Sequence, residues 1–195
     1  MSAGVNAPPS PAAAATTVPD ADAPEQVEWA GKFVRALRRG GWEYAGRAGG
    51  ITAAVILALD AGDVLLVEQY RVPVGKRCIE LPAGLIGDDH HDESPLAAAA
   101  RDLKEETGYR AETLEDMGEF YSSTGMLTES FTLVKATGLT RVGPGGGTDH
   151  EDIVVHRVPL AQMGSFIAAQ RALGHGVDAK IMMLLSGTLL ERPTA

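Results

Sequence analysis

The sequence predicts an α/β fold, and three observations carry that expectation. Two apolar runs of strand length, Ala53 to Leu59 and Val64 to Tyr70, flank the turn Asp60-Ala61-Gly62-Asp63. A helix start stands at Ser94-Pro95, and two further helical patterns, Leu160 to Leu173 and Asp178 to Leu190, close the chain. With 195 residues, 45% hydrophobic and 22% charged, the chain has the balance of one globular domain and not of a disordered or fibrous protein.

Taken in order, residues 1–24 are nearly all Ala, Pro, Ser, Thr, Gly and Asp, and are expected to be a disordered tail. Val27 to Leu37 reads as a strand, Arg39-Gly40-Gly41 as a turn and Trp42-Glu43-Tyr44 as a second strand, so residues 25–50 are expected to form a small antiparallel hairpin element. Residues 51–195 form the main domain. In it, Ile79 to Leu81 leads into Pro82-Ala83-Gly84, and Gly87 to Glu93 is an acidic loop. Ser94 can cap the free amides of the next helix, Pro95 is tolerated at its first position, and Gly108 is the matching stop. Leu114 to Ser123, Phe131 to Ala136 and Ile153 to Val158 read as strands, and Gly143-Pro144-Gly145-Gly146-Gly147 as a flexible loop.

A net charge of -9 argues against nucleic acid or an anionic membrane as partner. No apolar run is long enough to span a bilayer, and the first basic residue is Lys32, so neither a secretory nor a transit signal is expected at the N-terminus. The single cysteine, Cys78, excludes an intrachain disulfide, reads as a small buried residue and fits a reducing compartment. A cytoplasmic location is the expectation.

The chemistry concentrates in Arg101-Asp102-Leu103-Lys104-Glu105-Glu106. Spacings of three and four residues put Asp102 on one helix face with Glu105 and Glu106. Like charges at that spacing repel, and a hard divalent cation, which prefers oxygen ligands, would relieve the repulsion and join an acidic site to an anionic ligand. For an isolated Glu-Glu pair a solvated face is the commoner explanation. His90 and His91 are read as part of a solvated loop, because contiguous ligands rarely converge on one tetrahedral zinc.

The surrounding residues change that balance. Glu93, seven residues, then Arg101 to Tyr109 resembles the Nudix box: Gly, five residues, Glu, seven residues, Arg-Glu-aliphatic-any-Glu-Glu-any-Gly-aliphatic. Gly87 meets the first spacing literally. Glu80-Leu81-Pro82-Ala83-Gly84, however, resembles the lead-in of ADP-ribose pyrophosphatases, which makes Gly84 the box glycine and leaves a three-residue insertion in the acidic loop. Val67 to Arg71, Trp42-Glu43-Tyr44 and Asp149 to Ile153 extend the resemblance to the ADP-sugar branch. Asp102 departs from it, standing where the box has Glu, and Thr124-Gly125 stands where ADP-ribose enzymes commonly carry Pro.

The resemblance implies an α/β/α sandwich with a mixed sheet, preceded by an antiparallel element exchanged across a homodimer. It implies hydrolysis of a nucleoside diphosphate sugar, with ADP-ribose first and GDP-mannose, ADP-glucose, dinucleoside polyphosphates or a non-catalytic binding module as alternatives. Mg²⁺, or Mn²⁺ in its place, would be held by the Ala83 carbonyl, Asp102 and Glu106, with Glu105 close by. Glu151 or Asp149 would be the catalytic base. Arg71 would contact phosphate, Trp42 would offer an adenine platform and Glu80 would belong to the substrate site. Gly84, Glu93, Arg101 and Gly108 would support the box.

Overall fold

The computed structural model describes residues 18–87, 93–148, 151–182, 184 and 185. Its N-terminal part is an antiparallel sheet of β1 (Glu25–Ala30), β2 (Val34–Arg39) and β3 (Trp42–Arg47) in that order. The single strand expected from Val27 to Leu37 is therefore two. The chain reverses at Gly31, whose N–H donates to the Val34 carbonyl at 2.9 Å and where a Cβ would lie 2.4 Å from the Trp29 ring. Of these three strands only Leu37 and Gly46 are buried. Residues 18–24 do not stand clear of the sheet, since the Gly41 N–H donates to Asp20 Oδ2 at 3.1 Å.

The main domain contains β4 (Thr52–Asp60), β5 (Asp63–Arg71), β6 (Lys76–Glu80), β7 (Ala83–Ile86), α1 (Pro95–Asp102), β8 (Tyr109–Arg110), β9 (Thr113–Tyr121), β10 (Ser130–Thr137), β11 (Thr140–Arg141), β12 (Val154–Pro159), α2 (Met163–Ala172) and β13 (Gly176–Val177). Eight of these strands form one sheet, ordered β13-β6-β5-β4-β10-β9, with β12 paired to β5 and β7 to β4. β4 with β10 and β13 with β6 are parallel and the other pairs antiparallel, so the sheet is mixed.

Two buried clusters show why helices cover both faces. Along β4, Val55 packs into a core with Met163 and Ile167 of α2, whereas Ala54, Ile56 and Ala58 pack with Ala98, Ala99 and Leu103 of the α1 segment. That alternation is the period-two pattern of a strand buried on both sides, and it yields an α/β/α sandwich. The small residues of α1 bring its axis close to the sheet. Among the described residues no helix is long and apolar enough to cross a membrane.

α1 starts as the sequence predicts, with Ser94 Oγ accepting from the Ala97 N–H at 3.2 Å. It also stops where the sequence predicts, at left-handed Gly108, but its last turn was not foreseen. Leu103–Thr107 widen into a π-helical turn, in which the buried Thr107 hydroxyl donates to the Leu103 carbonyl and accepts from the Tyr109 N–H. Of the helix expected at Asp178 to Leu190, a 3₁₀ turn at Ala179–Ile181 and helical Met182, Leu184 and Leu185 are described.

Candidate active site

The π-helical turn sorts the acidic residues that the sequence put on one face. Glu106 and Asp102 turn inward and are 7% and 6% exposed, while the Glu105 side chain stays outward at 42%. Glu106 Oε2 accepts the Ala83 N–H at 3.1 Å. Burial pushes the Glu106 carboxyl up to about 8; the Ala83 N–H and Arg71 pull it down, and the charges of Asp102 and Glu151 raise it further.

Asp102 lies on the backbone of Gly84. A Cβ at Gly84 would sit 1.4 Å from Asp102 Oδ2, whereas at Gly87 nothing among the described residues comes within 4 Å. The glycine that the carboxylate requires is thus Gly84. Asp102 Oδ1 accepts from Arg101 Nη1 at 2.6 Å. The same guanidinium reaches Glu93 at 3.1 Å, the Leu85 carbonyl at 3.2 Å and Glu105 at 3.7 Å, binding the helix to the strand that follows Gly84. The hydrogen bond to Glu93 leads the causes that raise the Arg101 pKa.

Arg71, at the end of β5, forms a two-pronged pair with Glu80 at the end of β6, both contacts at 2.7 Å. This pair raises the Arg71 pKa, to which the charge of Glu106 also contributes. Arg71 keeps 42% of its side chain exposed while Glu80 keeps 10%, so Glu80 aims a guanidinium that remains open to a ligand.

The glycine-rich segment read as a flexible loop is packed against the end of the box helix. Gly146 N–H donates to the Glu106 carbonyl at 2.8 Å and Gly147 N–H to that of Glu105 at 3.0 Å. A Cβ at Gly145 would lie 2.5 Å from the Thr107 carbonyl carbon, and one at Gly108, whose φ is +76°, would lie 2.4 Å from the Gly143 oxygen. These glycines permit close approach of two backbones. The segment delivers Glu151 to the electrostatic neighbourhood of Glu106, with Glu151 Oε2 accepting from Thr148 N–H at 2.9 Å and Thr148 Oγ1 at 3.2 Å. Asp149, His90 and His91 lie outside the described residues.

Trp42 is not brought to this cluster. It is 57% exposed and lines a separate cavity of about 350 Å³ with Arg39, Tyr44, Met126 and the segment Val18 to Ala21. Thr124 and Gly125 line the same cavity. Cys78 is buried, and burial pushes its thiol up. Sequence reasoning missed a polar chain that reaches the residue after Glu151, in which Arg77 bridges Glu68 and Asp152 and His156 contacts Glu68. The available signal was Glu68 itself, a charge at the end of the apolar run Val64 to Val67.

The described residues include no group of three His, Cys, Asp or Glu side chains preassembled for a metal. Two buried carboxylates over a glycine backbone suit instead a cation that keeps waters and takes phosphate oxygens as further ligands.

Residues 50–180 match the NUDIX domain family model. The chain belongs to the Nudix family. This Nudix chain is 37% identical over 101 residues to a methanol dehydrogenase activator of Bacillus methanolicus, covering 52% of the chain and 53% of that protein. It is 36% identical over 121 residues to an ADP-ribose pyrophosphatase of Mycobacterium tuberculosis, covering 62% and 55% respectively. The chain therefore spans about half the length of these curated relatives. A crystal structure described as an ADP compounds hydrolase shares the fold, with a TM-score of 0.62 at 20% identity, covering 85% of this chain and 91% of that one.

Proposed function

We propose that this chain hydrolyses the diphosphate bond of a nucleoside diphosphate sugar, with ADP-ribose as the substrate, giving AMP and ribose 5-phosphate. The observation that carries this reading is the meeting of buried Asp102 and Glu106 at the Ala83-Gly84 turn, beside the exposed fork of Arg71 and within the field of Glu151. The name of the Mycobacterium relative supports the substrate class.

The donor set suits a divalent cation. Asp102, Glu106 and the Ala83 carbonyl would hold Mg²⁺, or Mn²⁺ in its place, with Glu105 at the rim. When bound, the cation would neutralise diphosphate charge and lower the pKa of a water. Glu106 would serve the cation as a carboxylate, Glu151 would take the proton of the attacking water, and Arg71, oriented by Glu80, would stabilise charge developing on phosphate. Arg101 and Glu93 keep the helix fixed against the Gly84 strand. Trp42 lies apart from this cluster within one chain, so its exposed ring would meet the nucleobase only across the proposed homodimer.

The apolar side chains of Trp29, Phe33, Met117, Phe120 and Tyr121 are exposed on the N-terminal sheet and on edge strand β9. A second copy of the chain covering them gives the homodimer that the family resemblance implies. A cytoplasmic location and separate roles for residues 1–24, 25–50 and 51–195 belong to the same proposal.

The test is a substrate panel with Mg²⁺, comparing ADP-ribose, ADP-glucose, GDP-mannose and a dinucleoside polyphosphate by product release. The expected result is the highest kcat/KM on ADP-ribose. A preference for GDP-mannose overturns the substrate, and binding of nucleotide sugars with no turnover of any overturns the enzymatic reading.

A further inference from the structure

A chain of four polar side chains, none of them in the carboxylate cluster, ends one residue from Glu151. His156 Nε2 lies 2.9 Å from Glu68 Oε2, and the other oxygen of Glu68 accepts from Arg77 Nε. Arg77 Nη1 donates to Asp152 Oδ2 at 2.7 Å, and Nη2 donates to the Asp152 carbonyl at 3.1 Å and the Glu68 carbonyl at 3.3 Å. Burial pushes the Glu68 carboxyl up, but His156 and Arg77 outweigh it and hold it below the ordinary range. Glu68 is therefore a charged anchor that is only 9% exposed, and Arg77 projects from it to the far side of the loop.

Stability does not explain the outer end of this arrangement. Asp152 keeps 83% of its side chain exposed, and an ion pair at such a position is screened by solvent and adds little to folding. The chain beyond it is already fixed, because Ile153 is buried and Val154 pairs with Glu68 in the sheet. What the fork adds is a hold on both the side chain and the backbone of the residue next to Glu151. On the near side, the loop is held to the box helix through Gly146 and Gly147. Glu151 itself is exposed and its carboxylate is held locally by Thr148, so the fork acts on the backbone that carries it.

We propose that Arg77 and Asp152 are positioning residues that set the orientation of Glu151 for proton removal from the attacking water, an inference that rests on the reading of Glu151 as base. Neither residue touches substrate. Their effect reaches the reaction through the loop backbone, and a small misplacement of a reacting group is costly to rate.

The experiment is a double-mutant cycle on the full chain with ADP-ribose and saturating Mg²⁺. Asp152→Ala removes an exposed partner and leaves the fold intact; it is expected to lower kcat about tenfold with KM, the Mg²⁺ requirement and Tm unchanged. Arg77→Lys, which cannot reproduce the fork, is expected to do the same. In a Glu151→Gln background, Asp152→Ala is expected to cost nothing further. Wild-type kcat in Asp152→Ala, alongside a slow Glu151→Gln enzyme, overturns the inference alone, as does an undiminished loss in the Glu151→Gln background. Full activity of Glu151→Gln overturns the inference together with the base assignment.

Discussion

The box turn and the N-terminal sheet are built from similar numbers of charges used in opposite ways. At the box, Asp102 and Glu106 are buried and Glu93 half-buried, and contacts to Arg101, the Gly84 backbone and the Ala83 N–H hold them. On the N-terminal sheet, the Arg38–Glu28 pair is 45% and 49% exposed, β1 is exposed along its whole length, and Trp29 and Phe33 project outward. Exposed pairs contribute about 0–1 kcal/mol each, so the sheet is held mainly by backbone pairing, Leu37 and the half-buried Arg47–Glu129 pair. The box closes on its own buried contacts, whereas the sheet leaves large apolar side chains uncovered, as the proposed homodimer requires. The difference separates a region held by its own buried pairs from one that leaves apolar side chains exposed.

That contrast can be broken at several points. The largest effect is expected at the base, where Glu151→Gln should lower kcat by about 10² to 10⁴ with little change in KM, since only proton transfer is lost. Steady-state kinetics beside Asp149→Asn checks it, and a loss confined to Asp149→Asn moves the role there. Next comes the glycine pair. Gly84→Ala drives a methyl into Asp102 and should cost turnover and about 2 kcal/mol or more of stability, whereas Gly87→Ala adds only the strain of its φ of +86°, about 1 kcal/mol. Thermal melts and kinetics of the two variants separate the box glycine from the loop glycine.

Truncation tests the other region. Removing residues 1–50 should yield a monomer with little activity, while removing residues 1–17 should change neither, as read by light scattering and product release. Removing residues 1–24 also takes away the Asp20 contact to Gly41 and the Val18 to Ala21 wall of the Trp42 cavity, so KM should rise. The smallest expected effect is on pH. A carboxyl raised to about 8 in the fold from an ordinary 4.5 binds protons more strongly when folded, so its contribution is present below about 4.5 and is lost as pH rises through about 8. Metal-free protein should therefore melt lower at pH 8.5 than at pH 5.5, and Glu106→Gln should flatten that slope.

Most of the scaffold was legible because local signals agreed with it: the apolar runs of β4 and β5, the Ser94 cap and the Gly108 stop all act over a few residues. The break at Gly31 was hidden because Trp29 and Phe33 look like strand residues, and the reversal rests on a glycine beside an aromatic ring. β7 was hidden because Pro82-Ala83-Gly84 has turn composition, and its pairing with β4 is a tertiary fact. At the site, Asp102, Glu105 and Glu106 were legible as a cluster; spacing alone did not separate them, because the π-helical turn departs from a regular helix, but the family resemblance singled out Asp102 and Glu106, the two that are buried. The glycine-rich loop was misread because composition does not distinguish glycines that confer freedom from glycines that permit close approach.

The most direct test of the central claim, that buried Glu106 and Asp102 form a divalent-cation site, is a Mn²⁺ titration of wild type and Glu106→Gln at pH 8.5, followed by electron paramagnetic resonance. Glu106→Gln keeps the volume and the Ala83 contact while removing the charge. The account predicts saturable Mn²⁺ binding in wild type and a weakening of at least about tenfold in Glu106→Gln, with unchanged circular dichroism. Equal affinity in the two proteins would contradict it.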